Sequence, residues 1–295
     1  MGSKTWTIRD LLDVTTDYFK EKGIESPRLN AEILLAHLLN MSRIKLYLHY
    51  DQPLTDSEIA GYRSLIRKKI RGEPTQYITG YQEFWSLDFV VGPQVLIPRP
   101  ESELLVEKTL ELCRESELWA EGPAKVLDLG TGCGSLAIAI AKELKDPAIW
   151  ASDISEEAVS IARKNARRHQ VESRIEFLCG DLWQPIKDQG LVFDIILSNP
   201  PYILSSDIEN LSPDVKDYEP LLALDGKEDG MFYIRRIIAE APHFLVSGGW
   251  LLIPMDPDQT DGALELCKEN GAYGLQKRFM DYSHRYRVVL AQKRQ

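Results

Sequence analysis

The first part of the chain repeats apolar residues at helical spacing. In "TIRDLLDVTTDYFKEKG", Ile8, Leu11, Leu12, Val14, Tyr18 and Phe19 read as one stripe that stops at Gly23. "SPRLNAEILLAHLLNM" opens with Ser26 as a cap ahead of Pro27 and repeats Leu29, Ile33, Leu34 and Leu38. "TDSEIAGYRSLIRKKIRG" opens at Thr55 and stops at Gly72 in the same way. The expectation is a small helical bundle over residues 1–74. In "EPTQYITGYQEFWSLDFVVGPQVLIPRPE" aromatic and β-branched residues with glycines replace that period, which predicts a β-hairpin linker over 75–97.

Beyond Pro100, strand and helix patterns take turns. "ESELLVEKTLELCRES" is helical, "AKVLDLG" a short buried strand, "SLAIAIAKEL" a helix and "AIWASD" a strand. "SEEAVSIARKNARRHQ" is a helix, "RIEFLCGD" and "FDIILSN" are strands, and "GMFYIRRIIAEAPHFLV" and "GGWLLIP" continue the alternation. Short loops between such elements predict an α/β domain over 98–295, a parallel sheet covered on both faces. Ligands of these sheets bind beyond the carboxyl ends of the strands, so Gly130, Asp153, Asp181 and Asn199 are expected around one crevice.

Composition changes this picture little. With 295 residues, 44% hydrophobic and 27% charged, the chain can fill two cores. No apolar run approaches the roughly 18 to 20 residues of a membrane helix, and "MGSKTWTIRD" lacks a signal-peptide centre, so a cytoplasmic protein without membrane attachment is expected. Cys113, Cys133, Cys179 and Cys267 form no CxxC pair, and the five histidines are dispersed, so neither disulfides nor a metal site is expected. Charge is more informative: residues 1–97 hold 12 basic and 12 acidic side chains, so the whole net charge of −10 lies after them. A chain that grips nucleic acid through phosphates has the opposite balance. The local basic run "RSLIRKKIRG" is read as the solvated face of an amphipathic helix.

Two short stretches carry chemistry. "VLDLGTGCGSLAIAIA" places Gly130, Gly132 and Gly134 between a strand and a helix N-terminus, where the chain turns sharply and a ligand approaches the backbone. Ser135 stands where a dinucleotide fingerprint has its third glycine. Asp153 closes the next strand about 20 residues on, where a carboxylate accepts both ribose hydroxyl protons; the plainer alternative is an acid favoured by a helix N-terminus. Asp181, Leu182 and Trp183 end the third strand, in reach of an adenine ring. "SNPPYI" ends a buried strand in a corner of two prolines, which fix φ and remove backbone donors. As a strand terminator it needs no further role. As a nitrogen cradle it makes chemical sense: the Asn199 side-chain oxygen and the Pro200 carbonyl each accept one N–H proton of an NH2 group, fixing the nitrogen for methylation. Pro201 keeps the corner rigid, and Tyr202 packs on the planar group.

With "DLGTGCG" after the first strand and "NPPY" after the fourth, the chain resembles class I S-adenosylmethionine-dependent N-methyltransferases. "RLNAEILLAHLL", "RGEPTQYITGYQEFW", "LIPRPESE", "YEPLLALDGKEDGMFYIRRI" and "RYRVVL" narrow the resemblance to the protein-(glutamine-N5) methyltransferases of peptide-chain release factors, over nearly the whole chain. The resemblance implies a doubly wound, mainly parallel, seven-stranded Rossmann-like sheet behind a helical N-terminal domain, and S-adenosylmethionine as cofactor. The implied substrate is the glutamine of the Gly-Gly-Gln motif in class I release factors. It assigns Gly130, Thr131, Gly132, Cys133, Gly134, Asp153, Asp181, Leu182 and Asn199 to the cofactor, and Asn199, Pro200, Pro201 and Tyr202 to the glutamine. "PRPESE", with Arg99, lines the site by the same resemblance; taken alone it is a Pro-led helix start with acids favoured by the dipole.

The chain departs from the family in "IPMDPDQTDG", where Pro254 and Pro257 are expected to shorten or bend a strand, and in His284 and Tyr286 of the tail. Two other functions use the same parts. An adenine-N6 DNA methyltransferase poses the same chemical problem with the same Asn-Pro-Pro-Tyr, but the net charge and the absence of a long basic recognition segment oppose it. A non-catalytic adaptor that keeps its cofactor for stability is opposed by intact Gly130, Asp153 and Asn199.

Overall fold

The computed structural model of the chain describes residues 5–115 and 122–295. Its described residues fall into two compact units, one reaching to Gly80 and including Ser212–Tyr218, the other made of Tyr81–Leu211 and Glu219–Gln295. In chain order the elements are helices α1 (Ile8–Glu21), α2 (Pro27–Leu38), α3 (Arg43–Leu48), α4 (Asp56–Ile70) and α5 (Thr75–Thr79), then strands β1 (Tyr81–Phe84) and β2 (Leu87–Val90). There follow α6 (Glu103–Glu115), β3 (Lys125–Leu129), α7 (Ser135–Glu143), β4 (Ala148–Asp153), α8 (Glu156–Arg168), β5 (Ile175–Cys179) and β6 (Phe193–Ser198). The chain ends with α9 (Pro213–Lys216), α10 (Phe232–Phe244), β7 (Leu245–Pro254), α11 (Thr260–Asn270), β8 (Tyr273–Met280) and β9 (Tyr286–Lys293). Ser116, the last residue of the expected helix at α6, lies outside the described residues.

The first unit encloses its own apolar core of Ile8, Leu12, Phe19, Leu34, Leu35, Leu46 and Tyr62. Capping boxes start α1 at Thr7 with Asp10 and α4 at Thr55 with Glu58, each satisfying orphan N–H groups. The stripe read along α1 is displaced: Thr15 and Thr16 are buried while Val14 and Tyr18 are exposed, because a 3.6-residue period continues Ile8–Leu11–Leu12 through 15, 16 and 19. Ser26 makes no capping bond, and Leu29 is exposed. In their place Glu32 is buried on α2, held by Arg28, Arg43 and Tyr47. Thr75–Thr79 form a helical turn rather than part of a hairpin; strand pairing begins at Tyr81.

The second unit carries the seven-stranded sheet that the resemblance implies, in the order β5-β4-β3-β6-β7-β9-β8. All neighbours are parallel except β9, which runs antiparallel to both β7 and β8. The faces alternate along β3. Leu127 and Leu129 join the core under α10 and α11, with Ile234, Ile237, Ile238 and Ala263, while Asp128 on the other face accepts from an N–H of α7. Helices thus cover both faces, and β3 is the strand from which the order departs both ways. Pro254 neither shortens nor ends β7 early: it takes the last of ten positions, still paired with Val288. A proline there forfeits only its own N–H, and Pro257 sits in the first turn of a 3-10 helix, where no donor is needed. Among the described residues no helix is long and apolar enough to cross a membrane.

Candidate functional site

The turn after β3 hydrogen-bonds to the end of β4: Gly130 and Thr131 donate their N–H groups to the Ser152 carbonyl at 2.8 and 2.9 Å. Gly130 and Gly132 take φ of +75° and +56°, conformations that a side chain resists. A Cβ on either would meet no atom within 4 Å, so both present bare backbone to open space. That space is a pocket walled by Gly130, Thr131, Gly132, Cys133, Asp153, Asp181, Leu182, Asn199, Pro200 and Pro201, together with Pro98, Ser102, Leu222 and Tyr233. Gly134 stands outside the wall; its Cβ would press on Ala162 at 3.1 Å, so it serves close packing of α7 on α8. Cys133 contributes backbone, and its buried thiol is pushed up to about 12.

Asp153 is held from both sides. Oδ2 accepts the Gly132 N–H at 2.9 Å and Oδ1 accepts the Ser155 N–H at 3.0 Å, which leaves the carboxylate lone-pair capacity for a further donor. Burial raises its pKa, and the N–H groups of Ser155, Gly132 and Ile154 pull it back. Asp181 on the same wall pairs with Arg236 of α10 at 2.7 Å, and Leu182 beside it is forced to φ +44°.

Asn199 donates Nδ2–H to Ser102 Oγ at 3.3 Å, which leaves Oδ1 as the end without a partner among the described residues on the pocket wall. The buried Glu219 carboxylate accepts the Ile97 N–H at 3.1 Å and pairs with Arg99, pinning both sides of Pro98. Arg99 and Tyr202, read as substrate contacts, stand outside the wall. Arg99 is turned to Glu219, and Tyr202 packs against the core under α10, where burial raises its pKa. Tyr202 contributes its carbonyl, which accepts from Gln259 Nε2 at 2.8 Å.

Four residues of this region were not singled out by the sequence reading: Ser102, Asp128, Glu219 and Gln259. Asp128 had a signal, an acid within an apolar strand. It accepts from Thr131 Oγ1 at 2.7 Å and Ala137 N–H at 3.3 Å, its Oδ1 has no partner among the described residues, and burial pushes it up to about 7. An acid that is protonated when folded and ionised when unfolded takes up a proton on folding, so its contribution to stability falls as pH rises from about 4 to about 7. Asp128→Asn is expected to flatten that slope, by at most about 4 kcal/mol over the window. Denaturant titrations at stepped pH check this; an unchanged slope refutes it.

Sheet order, glycine turn and the carboxylate that closes β4 together define an S-adenosylmethionine-dependent methyltransferase, and the pocket fits that cofactor: bare backbone at Gly130 and Gly132, and lone-pair capacity left on Asp153. Comparison with known proteins agrees. The PrmC N-terminal domain model matches residues 10–80 and the methyltransferase small domain model matches 104–211. A release factor glutamine methyltransferase of Geobacter sulfurreducens is 42% identical, covering 90% of each chain, and one of Rhodopirellula baltica is 38% identical, covering 98% of this chain and 97% of the relative. The chain belongs to the release factor glutamine methyltransferase family. In fold, the chain is similar to the N-terminal domain of human METTL16 in complex with SAH (TM-score 0.53, 14% identity, 71% of this chain and 76% of that one).

Proposed function

We propose that the protein transfers a methyl group from S-adenosylmethionine to N5 of the glutamine in the Gly-Gly-Gln motif of class I peptide-chain release factors. The observation that carries this reading is the single pocket wall holding the glycine turn, Asp153 and the free Oδ1 of Asn199. When bound, S-adenosylmethionine supplies an electrophilic methyl group on a sulfonium. The chain's own part is to hold the acceptor nitrogen. Asn199 Oδ1 and the Pro200 carbonyl each accept one N–H of the glutamine amide, which fixes the nitrogen and stabilises the positive charge it gains as it becomes tetrahedral. The surplus proton leaves afterwards, so no strong base is required. Pro201 stiffens the corner, while Arg99 and Tyr202 act from behind the wall.

Gly130, Thr131, Gly132, Asp153, Asp181 and Leu182 form the proposed cofactor side. Asp153→Ala is expected to weaken S-adenosylmethionine binding by about 1.5 to 3 kcal/mol, with a smaller effect on turnover at saturation. Calorimetric titration checks this, and unchanged affinity would move the ribose contact elsewhere.

Residues 1–74 are proposed to dock the folded body of the release factor, because a glutamine between glycines offers little surface, and ordering such a loop costs roughly 1 to 2 kcal/mol per residue. Helix α3 supports this role. Arg43 and Tyr47 turn inward to Glu32, while Ile44 and Leu48 project outward at 73% and 74% exposure. The decisive experiment is methylation of a full-length release factor and of a short Gly-Gly-Gln peptide, with mass spectrometry of the product. Methyl on the motif's glutamine is expected, with KM for the factor, but not the peptide, rising about tenfold or more in Ile44→Asp/Leu48→Asp. Methyl on duplex adenine instead would establish the DNA reading. The net charge of −10, concentrated after residue 97, favours a protein substrate without nucleic acid, and a cytoplasmic setting follows from that substrate.

A further inference from the structure

The Asn-Pro-Pro-Tyr corner needs support from behind, because its prolines donate no backbone hydrogen bond. Pro200 and its neighbours reach the rest of the fold through the chain that follows. Ile203 N–H bonds the Leu224 carbonyl at 3.1 Å, the Ile203 carbonyl accepts from Gly226 at 2.7 Å, and the Tyr202 carbonyl accepts from Gln259 Nε2 at 2.8 Å. Gln259 is 8% exposed and comes from the 3-10 turn Pro257–Gln259 that follows β7. Both ends of its carboxamide are committed: Oε1 accepts the Asp256 N–H at 3.1 Å while Nε2 faces Tyr202. An amide donor on one side and a carbonyl on the other admit only this orientation.

We propose that Gln259 is a positioning residue for methyl transfer, resting on the reading of the Asn199–Tyr202 corner given above. It fixes the Tyr202 carbonyl, two residues from the Pro200 carbonyl, and so sets where the cradle's backbone acceptor stands. It does not line the pocket. Its loss lets the corner relax into the pocket, and misplacement of a catalytic group by about 1 Å costs up to roughly a hundredfold.

The test uses the full-length protein with Gln259→Leu and the isosteric Gln259→Glu, which sets a carboxylate against the Tyr202 carbonyl. Both are compared with the parent for kcat and KM on a full-length release factor, S-adenosylmethionine affinity, thermal midpoint and hydrogen exchange of the Ile203 and Gly226 amides. Exchange at both amides is expected to rise about tenfold or more, and kcat to fall about tenfold or more, further in Gln259→Glu, while KM and cofactor affinity stay within about threefold. Unchanged exchange in both variants, or raised exchange with unchanged kcat, overturns the proposal. A loss of kcat that merely follows global unfolding in the melts does so too. If the parent methylates no release factor while exchange rises as expected, the support of the corner stands and the substrate reading falls.

Discussion

Asn199→Ala is expected to lower methyl transfer at least about a hundredfold, the effect of removing one preorganised partner of a transition state. The chemistry sets the size. An amide nitrogen lends its lone pair to its own carbonyl, and it attacks only when held out of that conjugation with its N–H groups accepted in the new geometry. Asn199 is arranged to be one acceptor: Nδ2 is spent on Ser102, and Oδ1 is left over at the pocket. Alanine keeps the backbone of the corner, and the glycine turn and Asp153 do not depend on the lost side chain. S-adenosylmethionine should therefore still bind, weakened only by the contact that Asn199 itself makes with it. Single-turnover kinetics and calorimetry on the same preparation separate the two effects. Turnover near that of the parent would remove the cradle.

How much of this was legible beforehand differs between the parts. The order of strands and helices after Pro100 follows from periodicity and turn residues, and the glycine turn announces itself because three glycines between strand and helix have few structural uses. The stripe on α1 was misplaced for a physical reason: Thr15 and Thr16 are polar by type, yet a methyl and a hydroxyl that bonds back to the Leu12 carbonyl let Thr16 sit in an apolar core. Glu32 was invisible for the same kind of reason, since a carboxylate is burial-compatible only once Arg28, Arg43 and Tyr47 converge on it from other elements.

The support of the site was hidden more deeply. Ser102 and Gln259 have no local pattern, because their partners, Asn199 and Tyr202, lie 97 and 57 positions away in sequence. Glu219 likewise acts on Ile97 and Arg99 across more than 100 residues. A motif gives the residues that meet the substrate; the residues that hold them are fixed by tertiary contacts alone. Arg99 and Tyr202 illustrate the converse: conspicuous in their motifs, they do not line the pocket, and Arg99 is spent on Glu219 while the Tyr202 carbonyl is spent on Gln259.

That dependence on the second layer makes Gly230→Ala the other large effect to expect. Gly230 lies in "LDGKEDG" at φ +71°, and a Cβ there would stand 2.3 Å from Gln259 Nε2 and 2.4 Å from the Tyr202 carbonyl oxygen. Neither atom can yield cheaply, since each is the other's hydrogen-bond partner and the carbonyl belongs to the rigid corner. Alanine also pays for the left-handed backbone, roughly 1 to 2 kcal/mol. A total loss of about 2 to 4 kcal/mol in stability is expected, within reach of a folded protein, because the clash is confined to one loop. The functional loss should be larger: the methyl group has to displace the Tyr202 carbonyl or break its bond from Gln259, and a displacement near 1 Å at the corner costs about a hundredfold in turnover. Thermal unfolding, kcat and S-adenosylmethionine affinity measured together decide the case. A variant that melts lower, binds cofactor normally and turns over about a hundredfold more slowly supports the geometry, whereas full turnover would mean that the corner tolerates movement and is not the cradle's rigid frame.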